Sequence, residues 1–250
     1  MANREEMLAK IRQALGRPSP SVSESSAPQA ALPPARLRDV MPPIPPEELL
    51  TKFEAELAKV SGTAHRAANP GELEQILRGI FEAAKCESVV LSRNPLLARL
   101  GLGSSLRARG VTVAEWSAAS ESATDSNTAF REACFSAAVG ITGVDFALAE
   151  TGSLVVTSQT EGSQLSSLAP PVHVALYTRE QLIESLDDVL EQLPLGRDAN
   201  DPAAGRSVVF VTGVSRTADI EQILIRGVHG PKELHAVLIE FSVPNSSTAE

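Results

Sequence analysis

From residue 47 onward, helical and strand periodicities alternate along the chain, and no other feature limits the possible folds of these 250 residues as tightly. Leu49, Leu50, Phe53, Leu57 and Val60 share one face of a helix. Asn69-Pro70-Gly71-Glu72 is a helix start, with Asn as cap and Pro at the first helical position. Leu73, Ile76, Leu77, Ile80 and Phe81 continue it. Residues 88–92, 111–116, 137–142, 153–158, 172–177, 207–212 and 234–241 read as short buried strands. Residues 181–193 predict a further helix with Leu182, Ile183, Leu186, Val189, Leu190 and Leu193 inward. Its Glu184, Asp187, Asp188 and Glu191 face water. Strands alternating with helices imply the α/β class, a largely parallel sheet with helices on both faces. In such sheets ligands bind where loops gather at the carboxyl ends of strands, so the polar loops there are the candidates for function.

Ahead of this region, residues 3–16 carry Met7, Leu8, Ile11 and Leu15 on one helical face. Residues 17–46 hold nine of the seventeen prolines, with many Ser and Ala, and read as a linker or extended arm. The predicted organisation is an N-terminal amphipathic helix over 1–16, a linker over 17–46 and an α/β domain over 47–250. A net charge of -9 removes any long-range field that would gather nucleic acid. No run approaches the roughly 18 apolar residues of a membrane helix, and the N-terminus lacks an apolar signal core. A cytoplasmic protein without a membrane span is the expectation. The two cysteines, Cys86 and Cys134, are too few for an iron–sulfur cluster on this chain alone. The four histidines form no metal-ligand pattern, so no metal site is expected.

Polar residues concentrate in three segments. In Gly140-Ile-Thr-Gly-Val-Asp-Phe-Ala-Leu-Ala-Glu-Thr-Gly-Ser153, glycines allow close backbone approach to a ligand, and Asp145 and Glu150 are carboxylates within an apolar stretch. Thr142, Gly143, Asp145, Thr151, Gly152 and Ser153 are the ligand-binding candidates here. The structural alternative has Asp145 capping a turn and Glu150 meeting an arginine. In the second segment, residues 162–173, Ser166 precedes a diproline and His173 alternates with valines on a strand. His173 is either a satisfied core residue or a base of near-neutral pKa. The third segment runs from Thr212 to Glu221, where a strand, a glycine turn and an expected helix start would form an anion site. Ser215, Arg216, Thr217 and Asp219 are its candidates, Arg216 as a bidentate donor, although Asp219 and Glu221 would repel an anion. His229, between Gly227 and Gly230, is presented by a constrained loop.

Three stretches taken in order resemble the lactate-utilization LUD-domain family, of LutC/YkgG-like type. They are GITGVDFALAETGSLVV, LSSLAPPVHVAL and GVSRTADIEQILIRGVHGPKELHAVLIE. The resemblance covers about residues 47–242, and the short N-terminal helix is also similar to the start of LutC-like members. It implies a fold grouped with NagB/RpiA/CoA-transferase-like proteins and a place in a system that oxidises L-lactate to pyruvate. Partner subunits there carry the iron–sulfur clusters; the small carboxylate or phosphate ligand is the expectation from Arg216 and its loop. Related proteins commonly have arginine just before the LSSL-like stretch, where this chain has Ser163 and Gln164. Class I CoA-transferases use a glutamate beside a glycine turn, and Ala149-Glu150-Thr151-Gly152 is superficially similar, so Glu150 is the candidate nucleophile.

Overall fold

The structure is a computed structural model that describes residues 42–116, 124–193, 207–218 and 224–243, with Met7 and Lys10. Two compact units are present, residues 1–42 and 43–250. In the first, Met7 and Lys10 have helical backbone; the rest of the predicted 3–16 helix, and residues 17–41 of the linker, lie outside the described residues.

The second unit is built on a six-stranded parallel sheet in the order β1-β12-β7-β4-β2-β3. Its strands are β1 (Thr63–Ala67), β2 (Ser88–Leu91), β3 (Thr112–Glu115), β4 (Val139–Thr142), β7 (Val172–Thr178) and β12 (Glu233–Ile239). The central strands β4 and β7 are buried along nearly their whole length. Strands covered on both faces read as continuous apolar runs, which is why Val172-His-Val-Ala-Leu-Tyr177 is recognisable from its residues alone. One face is covered by α2 (Pro70–Ala84), α3 (Pro95–Arg99) and α4 (Leu102–Ala108). Leu73, Leu77, Leu96 and Leu106 pack there on Val89, Ile141, Val174 and Val237. The helix start at Asn69 is as expected: its side chain accepts from the Glu72 N–H at 3.0 Å.

The opposite face carries α1 (Leu49–Lys59) and a four-stranded sheet in the order β8-β5-β6-β9. These strands are β5 (Phe146–Leu148), β6 (Ser153–Thr157), β8 (Leu182–Ile183) and β9 (Val208–Val211). Phe53 and Leu57 of α1 meet Tyr177, Leu238, Leu154 and Val156 in one cluster. Helix α5 (Thr124–Ser136) covers Val90 through Phe130 and Cys134. The expected α/β architecture with a largely parallel sheet is thus the observed one. Among the described residues no helix is long and apolar enough to cross a membrane.

Two expected helices differ. Residues 181–193 do not form one helix: Leu182–Ile183 pair with β5, and the helix α8 (Leu186–Gln192) starts only at Leu186, capped by Ser185. That late start turns the helix, so Val189 and Leu193 are buried while Leu186 and Leu190 are 42% and 43% exposed. Nor are all four acidic residues solvated: Glu184 accepts from the Ile44 N–H, and Asp188 closes a capping box with Ser185. The helix start predicted after Gly213 is instead a strand, β10 (Arg216–Ala218), paired antiparallel with β11 (Leu224–Arg226). Pairing across the hairpin satisfies backbone groups that the expected helix would have left free, so the anion site predicted at its N-terminus is not formed.

Candidate functional site

The order of the parallel strands locates a crevice. From β2 the chain moves to β3 on one side, and from β4 it moves to β7 on the other. The loops after β2 and β4 therefore part company, and the gap outside their carboxyl ends is where open α/β sheets bind ligands.

Polar side chains from three elements meet there. Ser92 and Asn94 follow β2, Gly143 and Asp145 follow β4, and Thr160 and Glu161 lie on α6 (Ser158–Glu161), the short helix after β6. Glu161 is 1% exposed. Its carboxyl accepts from the Ser92 hydroxyl at 2.5 Å, from the Asn94 amide and from the Gly143 N–H at 3.2 Å. Gly143 is required by proximity, since a Cβ there would run into the Asn94 amide. Asp145 accepts from the Thr157 N–H at 2.7 Å and from the Thr160 hydroxyl at 2.9 Å. The same hydroxyl is 3.4 Å from Glu161 Oε1, so it links the two carboxyls. Burial pushes both carboxyl groups above the usual carboxylate range, and the Asp145 charge adds to the rise at Glu161. The surrounding donors oppose that rise without cancelling it.

A cavity of about 340 Å³ opens beside this pair, lined among others by Asn94, Leu96, Arg99, Asp145, Thr160 and Gln181. A larger groove of about 1160 Å³ runs along α2 and α4. Its lining mixes Leu and Phe side chains with charged ones, of which Arg78 and Arg109 are already paired with Glu74, and Arg99 borders both cavities. Convergent polar groups mark binding sites better than volume does, so the smaller cavity is the candidate.

The remaining predicted residues are spread over several places. Thr142 belongs to this end of β4, and its hydroxyl meets His173 Nε2 at 2.9 Å. His173 is fully buried, and desolvation lowers its pKa to about 3, so it is a neutral core residue of the sheet. Ser166 is buried on α7 (Leu165–Leu168), where its hydroxyl donates to the Ser163 carbonyl at 3.2 Å. Gln164 is tied to Ser207 through both ends of its amide.

Thr151 and Ser153 share a hydrogen bond of 2.8 Å, and Ser153 meets Thr212 at 2.6 Å. Gly152 adopts φ +66° and packs against the backbone of Leu57. Glu150 accepts from the Leu186 N–H at 3.1 Å, a cap on α8 rather than an arginine partner. Arg216 is exposed and donates to the Ser61 hydroxyl at 2.5 Å. Ser215 holds its loop through Pro231, and the exposed His229 donates its N–H to the Ser215 hydroxyl at 3.4 Å. These loop contacts lie before β1 and β12, hence at the amino ends of parallel strands. Thr217 is a strand residue, and Asp219 lies outside the described residues. The three predicted segments therefore do not share one cleft: Gly143 and Asp145 are at the carboxyl end of the sheet, Ser215, Arg216 and His229 at its amino end.

Four residues of the crevice, Asn94, Arg99, Thr160 and Glu161, were not singled out from the sequence. The available signal was position: Asn94 and Thr160 each lie three residues past the end of a strand, the latter just before Glu161 and Gly162. Among the described residues no group of three or more His, Cys, Asp or Glu side chains is placed to hold a metal ion.

Comparison with known proteins gives a consistent family. The model of the LUD domain matches residues 50–239. "Lactate utilization protein C" of Oceanobacillus iheyensis is 27% identical over 240 residues, covering 95% of this chain and 98% of the relative. The protein of the same description from Bacillus pumilus is 25% identical over 243 residues, covering 96% and 98%. A crystal structure of a DUF162 family protein from Deinococcus radiodurans superposes with a TM-score of 0.54 at 18% identity, over 79% of this chain and 99% of that one. At that identity the likeness speaks for the fold alone.

Proposed function

Because this chain belongs to the LUD-domain family, we propose that it works in lactate utilization, as a component of the system that oxidises L-lactate to pyruvate. The observation that carries the reading is the end-to-end match with proteins described as lactate utilization protein C. In this reading the chain is an accessory or ligand-binding subunit that takes a small anionic ligand, and the redox centres sit on iron–sulfur partner subunits. Its own thiols support that division of labour. Two cysteines fall short of the four thiolates a cluster ordinarily needs. Burial pushes the Cys86 thiol up and the Cys134 thiol to about 12, as for protonated thiols packed in a core.

The other reading, a CoA-transferase-like enzyme with Glu150 as nucleophile, draws no support from the geometry. The Glu150 carboxylate is engaged in capping α8 and is not among the residues lining either cavity.

Deletion of the gene tests the proposal. Loss of growth on L-lactate with growth on pyruvate retained, restored by the intact gene, is the expected result. Copurification of the tagged chain with cysteine-rich iron–sulfur proteins is the expected companion finding. Normal growth of the deletion strain on L-lactate would overturn the reading.

A further inference from the structure

We propose that His65 and His235 form a pH-sensitive latch that keeps the edge strand β1 in the parallel sheet. The latch is closed while one of the two facing ring nitrogens is bare, and it opens when both rings are protonated. This device is independent of the lactate-utilization reading.

Position is the first argument. Strand β1 is the outermost of the six and, among the described residues, pairs on one side only, with β12. The register sets Thr63 opposite His235 and His65 opposite Val237, so the two histidines are diagonal neighbours on one face. His65 Nε2 lies 3.0 Å from His235 Nδ1, with the ring centres 5.2 Å apart. Among the described residues no other side chain of β1 makes a hydrogen bond to a side chain of β12. Arg66, on the other face, is held by Glu54 of α1.

Proton bookkeeping is the second. A hydrogen bond between two ring nitrogens needs one that carries hydrogen and one that is bare. Glu233 Oε2 lies 3.8 Å from His235 Nε2, which favours hydrogen on that nitrogen and leaves Nδ1 to accept from His65 Nε2–H. A first proton added at His235 sits between Glu233 and His65. The contact survives it, with the donor exchanged, once His65 carries its hydrogen on Nδ1. A second proton puts hydrogen on both facing nitrogens and sets two cations side by side, and the contact parts.

The surroundings offer one carboxylate for two rings. Glu233 acts on His235, and Lys232 beside it is exposed. Helix α2 turns Leu73, Leu77 and Ile80 to the sheet; its Glu72 caps the helix start, Glu74 is paired with Arg78, and Glu82 is exposed. His173 of β7 is in register with Leu234, hence on the opposite face, where it meets Thr142 and feels His235. Burial holds both rings of the pair below the ordinary value of 6.5; the His235 charge adds to this at His65, and Glu233 opposes it at His235. Stability from the pair is therefore complete above 6.5 and lost as pH falls through the lowered values.

Histidine ring NMR on the full-length chain tests the latch, together with amide exchange at about pH 7 and about pH 5, corrected for intrinsic rates. His65 and His235 are expected to titrate as one coupled pair, in two steps with midpoints below 6.5. Protection of residues 63–67 should fall at least about tenfold between the two conditions, relative to residues 139–142 and 172–178. His65→Gln leaves one titrating ring, so that fall should shrink to about threefold and His235 should titrate in a single step. Thermal melts establish that the variant is folded; if it is not, His235→Gln takes its place, with His65 titrating in one step nearer 6.5. Independent single-step titration of both rings at 6.5 in the wild type would overturn the proposal. So would an equal loss of protection in β4 and β7, or an undiminished pH response in the folded variant.

Discussion

Replacing Glu161 by alanine is expected to cost about 3 to 5 kcal/mol of folding stability, the sum for orphaning three buried donors less the desolvation cost of the carboxyl that is recovered. Glu161 is 1% exposed, and three donors point at its carboxyl: the Ser92 hydroxyl, the Asn94 amide and the Gly143 N–H. Truncation leaves all three facing a void with no acceptor, and each orphaned buried donor costs about 1 to 3 kcal/mol. Recovery of the desolvation cost of the carboxyl itself offsets part of that sum. For a domain of this size the loss corresponds to a fall in melting temperature of roughly 6 to 20 °C. Glu161→Gln preserves the shape but sets an NH₂ against a donor, so it should cost about 1 to 3 kcal/mol. The pH dependence adds a signature. The folded pKa of Glu161 lies above its ordinary value of 4.5, so its protonated form is the one the fold favours. That contribution is complete below the ordinary value and is lost as pH rises through the raised one. The gap between wild type and Glu161→Gln should therefore narrow as pH increases. Urea denaturation across that pH range measures both effects. A cost below about 1 kcal/mol for Glu161→Ala would refute the reasoning, because no buried network could then exist at that position.

Further outcomes follow from the same geometry. His173 has a folded pKa of about 3, so it stabilises fully above its ordinary value of 6.5 and loses that contribution as pH falls toward 3; His173→Gln should flatten the acid side of a stability–pH curve by up to about 1.4 kcal/mol per pH unit. Gly152→Ala places a side chain at φ +66° against the Leu57 backbone and is expected to cost about 1 to 3 kcal/mol in urea denaturation. Arg216→Ala removes one exposed contact to Ser61 and should change stability by less than about 0.5 kcal/mol, with no effect on anion binding measured by calorimetry. Glu150→Gln keeps an acceptor for the Leu186 N–H and should likewise leave both melting temperature and growth on lactate unchanged.

Strands that are buried on both faces announce themselves, which is why β4, β6 and β7 are legible as apolar runs. Strand β1 is not, because Thr63-Ala-His-Arg-Ala67 lies at the sheet edge, where half-exposed polar residues break the pattern. The start of α8 was misplaced because Leu182 and Ile183 fit a helical face as well as a short strand, and only pairing with β5 decides between them. Asp145 stood out as a carboxylate within an apolar stretch. Glu161 did not, since it lies in the polar run Ser158-Gln-Thr-Glu-Gly-Ser163 and acquires its burial only when β2 and β4 bring Ser92, Asn94 and Gly143 around it. Arg99 is similarly silent, as the last residue of a short helix whose place over the crevice depends on the strand order. What remained unreadable was the division between the two ends of the sheet. Local patterns mark loops after strands, whereas the end on which a loop lies depends on the direction of the strands it joins.

Amide chemical-shift mapping of the labelled chain during titration with L-lactate addresses the site most directly. The geometry predicts perturbations clustered at Gly143, Asp145 and Thr160, with Ser215, Arg216 and His229 unmoved. Shifts confined to that second group would place the ligand at the amino end of the strands and contradict the account.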